Sequence, residues 1–219
     1  MNAEIKSHIE EFKIIAIERK VYGDQLVQLA ESLYAGGIRI LEITFDQADP
    51  DCLTKTADSL ALLSTEMKGK MTIGAGTVLN VDQVEAAMAG GAKFIVSPNT
   101  DETVIRHTKQ KGLLSIPGAM TPSEMVSAAN YGADYVKVFP VSDLGLKYMR
   151  NVMAPLNHIK FIATGGVGLD NLSDILQMGF VAAGIGGYLA DRTLIANSAF
   201  EELTNRAREF VKISKSSAR

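Results

Sequence analysis

A lysine stands in the middle of the apolar run Tyr135-Val136-Lys137-Val138-Phe139-Pro140. A strand that is apolar on both faces holds that ammonium away from bulk water, and burial shifts a lysine toward its neutral amine. Neutral amines attack ketones, so Lys137 is a candidate Schiff-base nucleophile. On this strand alone, a lysine paired with a buried carboxylate or one snorkelling to the surface fits as well. The carboxylate comes from Ile38-Arg39-Ile40-Leu41-Glu42-Ile43-Thr44, where alternation predicts an inward set of Ile38, Ile40, Glu42 and Thr44. The same alternation groups Lys137 with Tyr135 and Phe139 and turns Val136 and Val138 toward the helices. Glu42 and Lys137 can then share one interior, as a salt bridge or as a general base beside an imine-forming amine.

The elements that must position this pair repeat one pattern. Residues 3 to 12 read as an amphipathic helix with Ile5, Ile9 and Phe12 on one face, covering an end of the core. Strand-type runs follow at Ile14 to Ile17, Ile38 to Thr44, Met71 to Gly74, Phe94 to Ser97, Leu113 to Ile116, Tyr135 to Phe139, Phe161 to Ala163 and Val181 to Ile185. Helical periodicity separates them over 24 to 35, 51 to 67, 80 to 89, 101 to 111, 121 to 130, 144 to 154 and 169 to 178, and a closing helix spans 197 to 214. Eight strands each followed by a helix predict a closed α/β (β/α)8 TIM barrel, a single domain over 1–219 with an extra N-terminal helix. An open doubly wound sheet usually shows a Gly-rich first turn, and Glu18-Arg19-Lys20 has no glycine.

Composition narrows the class of function. The 219 residues carry a formal net charge of -3, with basic residues scattered, so no electrostatic footprint for nucleic acid exists. Cys52 is the only cysteine, which precludes an intrachain disulfide and fits a reducing compartment. No Cys/His spacing suggests a metal, and no apolar run is long enough to span a membrane. The expectation is a cytoplasmic enzyme of small-molecule chemistry without a cofactor. His8 and His107, on surface helices, and His158, before the seventh strand, are read as solvated, and Met120, Met125, Met149 and Met153 as packing residues.

In such barrels the C-terminal strand ends carry the chemistry. The polar residues there are Arg19, Glu42, Thr44, Asp46, Thr77, Ser97, Asn99, Lys137 and Thr164. Thr164-Gly165-Gly166 and Gly184-Ile185-Gly186-Gly187 fall in the loops after the last two strands, where backbone N–H groups commonly bind phosphate, although glycines in tight turns alone would look the same.

Leu41-Glu42-Ile43-Thr44, Gly74-Ala75-Gly76-Thr77-Val78-Leu79, Ser97-Pro98, Ile116-Pro117-Gly118, Val136-Lys137-Val138-Phe139-Pro140 and Thr164-Gly165-Gly166 together resemble the KDPG/KHG aldolase family over nearly the whole chain. The resemblance implies a class I aldolase, a homotrimer, that releases pyruvate from 2-keto-3-deoxy-6-phosphogluconate, its galactonate epimer or 4-hydroxy-2-oxoglutarate. It implies Lys137 as the imine-forming residue and Glu42 as the proton carrier. Thr77 would hold the pyruvate carboxylate, Pro98 would border the substrate, Thr164 would contact its hydroxylated part, and Gly165, Gly166, Gly186 and Gly187 would surround the phosphate. Two positions depart from the pattern: Asp46 stands where some members have a carboxylate-binding arginine, and Tyr188 where a serine often follows the last glycine doublet. Arg19, with the parity of Ile15 and Ile17, is the cation that can replace the missing arginine. A phosphate-binding barrel isomerase or epimerase, with Lys137 as a charged ligand, and a keto-acid sensor are the competing readings.

Overall fold

A computed structural model of the chain describes residues 2–217. Helix α1 (Asn2–Phe12) precedes β1 (Ile14–Glu18), α2 (Gly23–Ala35), β2 (Ile40–Thr44), α3 (Cys52–Glu66), β3 (Thr72–Gly76), α4 (Val81–Ala89), β4 (Phe94–Val96) and α5 (Glu102–Gln110). The second half comprises β5 (Leu114–Ile116), β6 (Gly118–Ala119), α6 (Pro122–Asn130), β7 (Val136–Val138), α7 (Val141–Met153), β8 (Phe161–Thr164), α8 (Leu172–Met178), β9 (Ala182–Ile185), α9 (Arg192–Ala196) and α10 (Phe200–Ser216). Local chemistry sets many helix starts. Asn80 and Asp101 accept from the N–H groups of Gln83 and Val104, and Thr121 and Glu124 form a reciprocal cap with Pro122 in the first turn.

All strand pairs are parallel, in the order β5-β4-β3-β2-β1-β9-β8-β7-β6. The nine strands are the expected eight with the fifth divided. Pro117, which has no N–H, separates β5, bonded to β4, from β6, bonded to β7. The ring of β1 to β9 is therefore the predicted barrel, and Lys137 N–H reaches across the break to Pro117 O at 2.8 Å.

Two apolar layers follow the alternation. Ile15, Ile40, Phe94, Val96, Leu114, Ile116, Tyr135, Ile162 and Ala182 fill the interior, while Val136, Val138, Leu41 and Ile43 belong to the layer under the helices. One expected member is displaced. Ile38 lies in the outer layer, because it precedes β2 in a turn where its N–H bonds Leu33 O, and strand parity does not extend there. Helix α1 closes the N-terminal end of the barrel by placing Ile5 and Ile9 in the interior layer. Polar ties hold it: Tyr135 Oη donates to Glu10 at 2.8 Å, Lys160 meets Glu10 at 2.7 Å, and Lys6 meets the buried Asp134 at 2.7 Å.

Smaller expectations change with tertiary context. Met125 and Met149 are core and Met153 packs against it, but Met120 is exposed on the rim. His8 and His107 are half-buried and hydrogen bonded, to Thr72 at 2.8 Å and Glu85 at 2.7 Å, rather than solvated; His158 is exposed. Among the described residues no helix is long and apolar enough to cross a membrane.

Glu18 is the unexpected core residue. It ends β1 facing outward, is 1% exposed, and accepts the Val21 N–H. Burial pushes its carboxyl from an ordinary 4.5 up to about 7, against the opposing pull of the Val21 N–H, Arg192 and Arg19. A carboxyl with a raised folded pKa binds more protons folded than unfolded, so stability falls as pH rises between these two values. The most this can cost at pH 8 is about 3 kcal/mol. Glu18→Gln removes the charge and keeps an acceptor, so its melting temperature should exceed the wild type's at pH 8 and converge with it near pH 4. A wild type whose stability relative to this variant does not change with pH would show that the carboxyl titrates normally.

Candidate active site

Lys137 is the central residue of β7, with Gly118 of β6 on one side and Ile162 of β8 on the other. Its side chain enters the interior, 4% exposed, and Nζ stands 5.0 Å from the centroid of the Phe139 ring. Glu42 is held on β2 between Ile17 and Gly74 and is 2% exposed. Its carboxyl leans over the end of β3, where only a glycine fits: a methyl group on Gly76 would overlap Glu42 Oε1. That oxygen is buried with no hydrogen-bond partner among the described residues.

The pair is poised rather than bridged. Among the described residues neither Lys137 nor Glu42 forms an ion pair, while each feels the other's charge. Burial is the larger effect on both, raising the Glu42 carboxyl and lowering the Lys137 ammonium, and attraction between their charges opposes it in each case. Arg19 lowers both. Burial thus pushes the pair toward a neutral amine beside a neutral carboxylic acid, the direction that favours a nucleophile next to a proton donor.

Above them a cavity of about 750 Å³ opens at the C-terminal strand ends. Arg19, Thr164, Gly165, Gly166, Gly186 and Gly187 line it, together with Ile17 and Phe139, which sequence reasoning did not select as site residues. Lys137, Glu42, Thr77 and Pro98 do not line it; Lys137 adjoins it through Phe139, whose ring its Nζ approaches, and Glu42 through its β-pairing partner Ile17. Thr77 follows β3 in a left-handed conformation, φ 57°, with its carbonyl bonded by Gln47 Nε2 at 2.7 Å. The Pro98 carbonyl packs where a side chain on Gly118 would be, so its backbone braces the break beside Lys137.

The wall opposite is built by close approach. Thr164 Oγ1 would be 2.7 Å from a methyl on Gly184, so that glycine admits it. Gly165 and Gly166 turn with φ of 90° and 73° over Pro140 and Ser142, and Ser142 N–H bonds Gly165 O at 3.1 Å. This ties the turn after β8 to the residues that follow Lys137. Farther out, Tyr188 packs edge-on against Phe210, ring centroids 5.9 Å apart, and Arg206 is paired with Asp191 at 3.2 Å and Glu202 at 3.4 Å. Arg206 comes from α10, and no motif or strand-end position marks it in the sequence. Asp46, the anomalous acid, carries its own cation: Lys20 Nζ is 2.6 Å away and holds the carboxyl below its ordinary range. Among the described residues no group of three or more His, Cys, Asp or Glu is placed to hold a metal ion.

Comparison with known proteins bears on what this arrangement does. The family model "KDPG and KHG aldolase" matches residues 5–206. The 2-dehydro-3-deoxy-phosphogluconate aldolase of Treponema pallidum (strain Nichols) is 32% identical over 206 residues, 94% of this chain and 95% of that protein. A solved structure described as "Native KDPGal structure" superimposes with a TM-score of 0.83 at 31% identity, covering 93% of this chain and 95% of the other. The KDPG aldolase from Legionella pneumophila, solved with pyruvate captured at low pH as a covalent carbinolamine intermediate, gives 0.79 at 25% identity, covering 90% and 92%.

The Glu42–Gly76 contact yields a test. Gly76 has an ordinary strand conformation, so Gly76→Ala should fold, as judged by circular dichroism, while displacing the Glu42 carboxyl. Aldol turnover should drop by about 100-fold or more, as for loss of a general acid–base group. Wild-type turnover in this variant would mean that the carboxyl need not occupy this place.

Proposed function

The chain belongs to the KDPG and KHG aldolase family, and we propose that it is a class I aldolase that cleaves a 2-keto-3-deoxy sugar acid to pyruvate and an aldehyde through an imine on Lys137. The observation that carries this reading is the buried Lys137–Glu42 pair, with the amine shifted down and the carboxyl shifted up at the strand ends of a barrel. The preferred substrate is 2-keto-3-deoxy-6-phosphogluconate or its galactonate epimer, with unphosphorylated 4-hydroxy-2-oxoglutarate as the shorter alternative. The enzyme is expected in the cytoplasm as a homotrimer, an assembly that would cover apolar side chains such as Leu79, Met88 and Met120 that the single chain leaves exposed.

The chemistry follows from the two protonation states. The neutral Lys137 amine adds to the substrate C2 ketone, and the carbonyl π pair moves to oxygen. One proton passes from nitrogen to that oxygen, and a second arrives from the Glu42 carboxyl. Water leaves, and a protonated imine remains beside a Glu42 carboxylate. This carboxylate takes the proton of the C4 hydroxyl as the C3–C4 bond breaks, with its electron pair drawn into the C2–C3 bond toward the iminium nitrogen. The aldehyde departs, Glu42 returns the proton to C3, and water hydrolyses the protonated pyruvyl imine, freeing the neutral Lys137 amine while the proton released returns to Glu42. Burial serves both ends of the cycle, since it supplies a free amine at the start and a proton donor close to it.

Arg19 is assigned to the pyruvate carboxylate, because its charge reaches both members of the pair and it forms no ion pair among the described residues. Thr77 assists from the end of β3, and Pro98 borders the same end of the substrate. Thr164 faces the hydroxylated carbons, and the N–H groups of Gly165, Gly166, Gly186 and Gly187 receive the phosphate or its equivalent. Tyr188 takes the place of a hydroxyl donor at that end, and its phenol can donate to the same oxygens.

Borohydride reduction in the presence of pyruvate tests the assignment. One reduced pyruvyl group should appear on the chain, in the peptide that contains Lys137, and Lys137→Ala should abolish both labelling and turnover. Labelling at Lys147 or Lys160 would overturn it, as would pyruvate release with no trappable adduct. Glu42→Gln should slow turnover by roughly 100-fold to 10,000-fold.

A further inference from the structure

Arg19 is an exposed side chain on the four-residue turn between β1 and α2, and the residues around it are held in ways that core stability does not call for. Glu18, immediately before it, is buried at 1% exposure as an acid, where an apolar side chain would be less costly. Its carboxylate accepts the Val21 N–H and so closes the turn from beneath. Lys20, immediately after it, takes a left-handed conformation with φ 65°, uncommon for a residue with a side chain. Its Nζ reaches Asp46 at 2.6 Å, in the loop beyond β2, and Asp46 Oδ1 also accepts from Ala48 N–H at 3.3 Å. From the other side, Arg192 at the start of α9 donates to the carbonyl of Arg19 at 3.5 Å. The backbone of the turn is thus tied below, toward β2 and toward the segment after β9, and Arg19 alone is left facing the cavity.

We infer that this turn is a clamp for the Arg19 guanidinium, in which Glu18 and Asp46 are positioning residues for binding of the substrate's carboxylate end. The inference rests on the assignment of Arg19 to that carboxylate. It gives Asp46 a role that a carboxylate beside an anionic substrate would otherwise lack: Asp46 binds no substrate, and its charge is spent on Lys20. It also explains why an acid is buried at Glu18. A backbone N–H at this place needs an acceptor, and an arginine that binds a carboxylate bidentately gains from being held in one geometry before the substrate arrives.

The experiment measures apparent pyruvate affinity by borohydride trapping, with KM and kcat for cleavage alongside, in Arg19→Ala, Glu18→Leu, Glu18→Gln and Asp46→Ala and in the double variant Arg19→Ala/Asp46→Ala. Arg19→Ala should weaken pyruvate binding about tenfold, the loss of one charged hydrogen-bonding partner. Glu18→Leu, which fills the buried site but removes the acceptor, should weaken it by about fivefold through KM rather than kcat, at a melting temperature no lower than the wild type's at pH 8. Glu18→Gln should restore most of the affinity, because its amide oxygen can accept the same N–H. Asp46→Ala, at an exposed pair whose loss the fold tolerates, should weaken binding by about twofold to threefold. That loss should vanish in the Arg19→Ala background, since a positioning residue acts only through the residue it positions. Wild-type affinity in both Glu18→Leu and Asp46→Ala, with Arg19→Ala weakened, would overturn the clamp and leave Arg19 its role. So would an Asp46→Ala loss that persists without Arg19. Unchanged affinity in Arg19→Ala would instead remove the assignment of Arg19, and the clamp with it.

Discussion

The exclusion of water from Lys137 and Glu42 is the constraint on which the rest of the structure depends. Each group is more than nine-tenths buried, and in each the cost of burial outweighs attraction to the other's charge. A tight salt bridge would stabilise the ammonium and quench the nucleophile. Separation beyond ion-pair range, in a dry interior, lets burial push the amine down and the acid up, each toward its neutral form. The barrel supplies that interior through two apolar layers, and α1 seals its far end with Ile5 and Ile9. The glycines of the site follow from the same demand for closeness. Gly76 clears the Glu42 carboxyl, Gly184 clears Thr164, and Gly165 and Gly166 let the turn after β8 lie against Pro140 and Ser142.

The cavity above the pair is divided by charge. At the β1 side Arg19 is an unpaired cation among the described residues, and at the α10 side Arg206 is already engaged by Asp191 and Glu202. Arg19, whose charge reaches Lys137, is thus set apart from the distal end, which is lined by Gly186, Gly187 and Tyr188. On the proposed reading, a keto acid would bind with its carboxylate toward β1 and its tail toward the glycine doublets.

How much of this the sequence disclosed depended on whether a side chain sits inside a strand. For Lys137, Glu42, Tyr135 and the two flanking valines, alternation predicted the correct face, because a paired strand leaves no other choice. It failed at Ile38, which lies before pairing begins, and it could not show that Pro117 divides the fifth strand, since two residues beyond a proline carry no period. The family motifs brought Thr77 and Pro98 close to the site but not into the cavity wall. Glu18 was missed because an acid at the end of a strand reads as a solvated turn, and its burial appears only once the chain is packed. Arg206 and Phe210 come from the closing helix, and only tertiary packing brings them to the mouth. Asp46 was visible as a departure from the family pattern, but its partner Lys20 was not, since the contact requires a left-handed residue in the turn.

The pH dependence of pyruvate imine formation reads the protonation state of the Lys137 amine directly. With burial lowering the Lys137 ammonium, the rate should reach half its plateau well below the 10.5 of an ordinary lysine. Glu42→Gln removes the charge that pulls this value upward and should move the midpoint lower still. A midpoint at the ordinary lysine value, or one that rises when Glu42 is neutralised, would contradict the account.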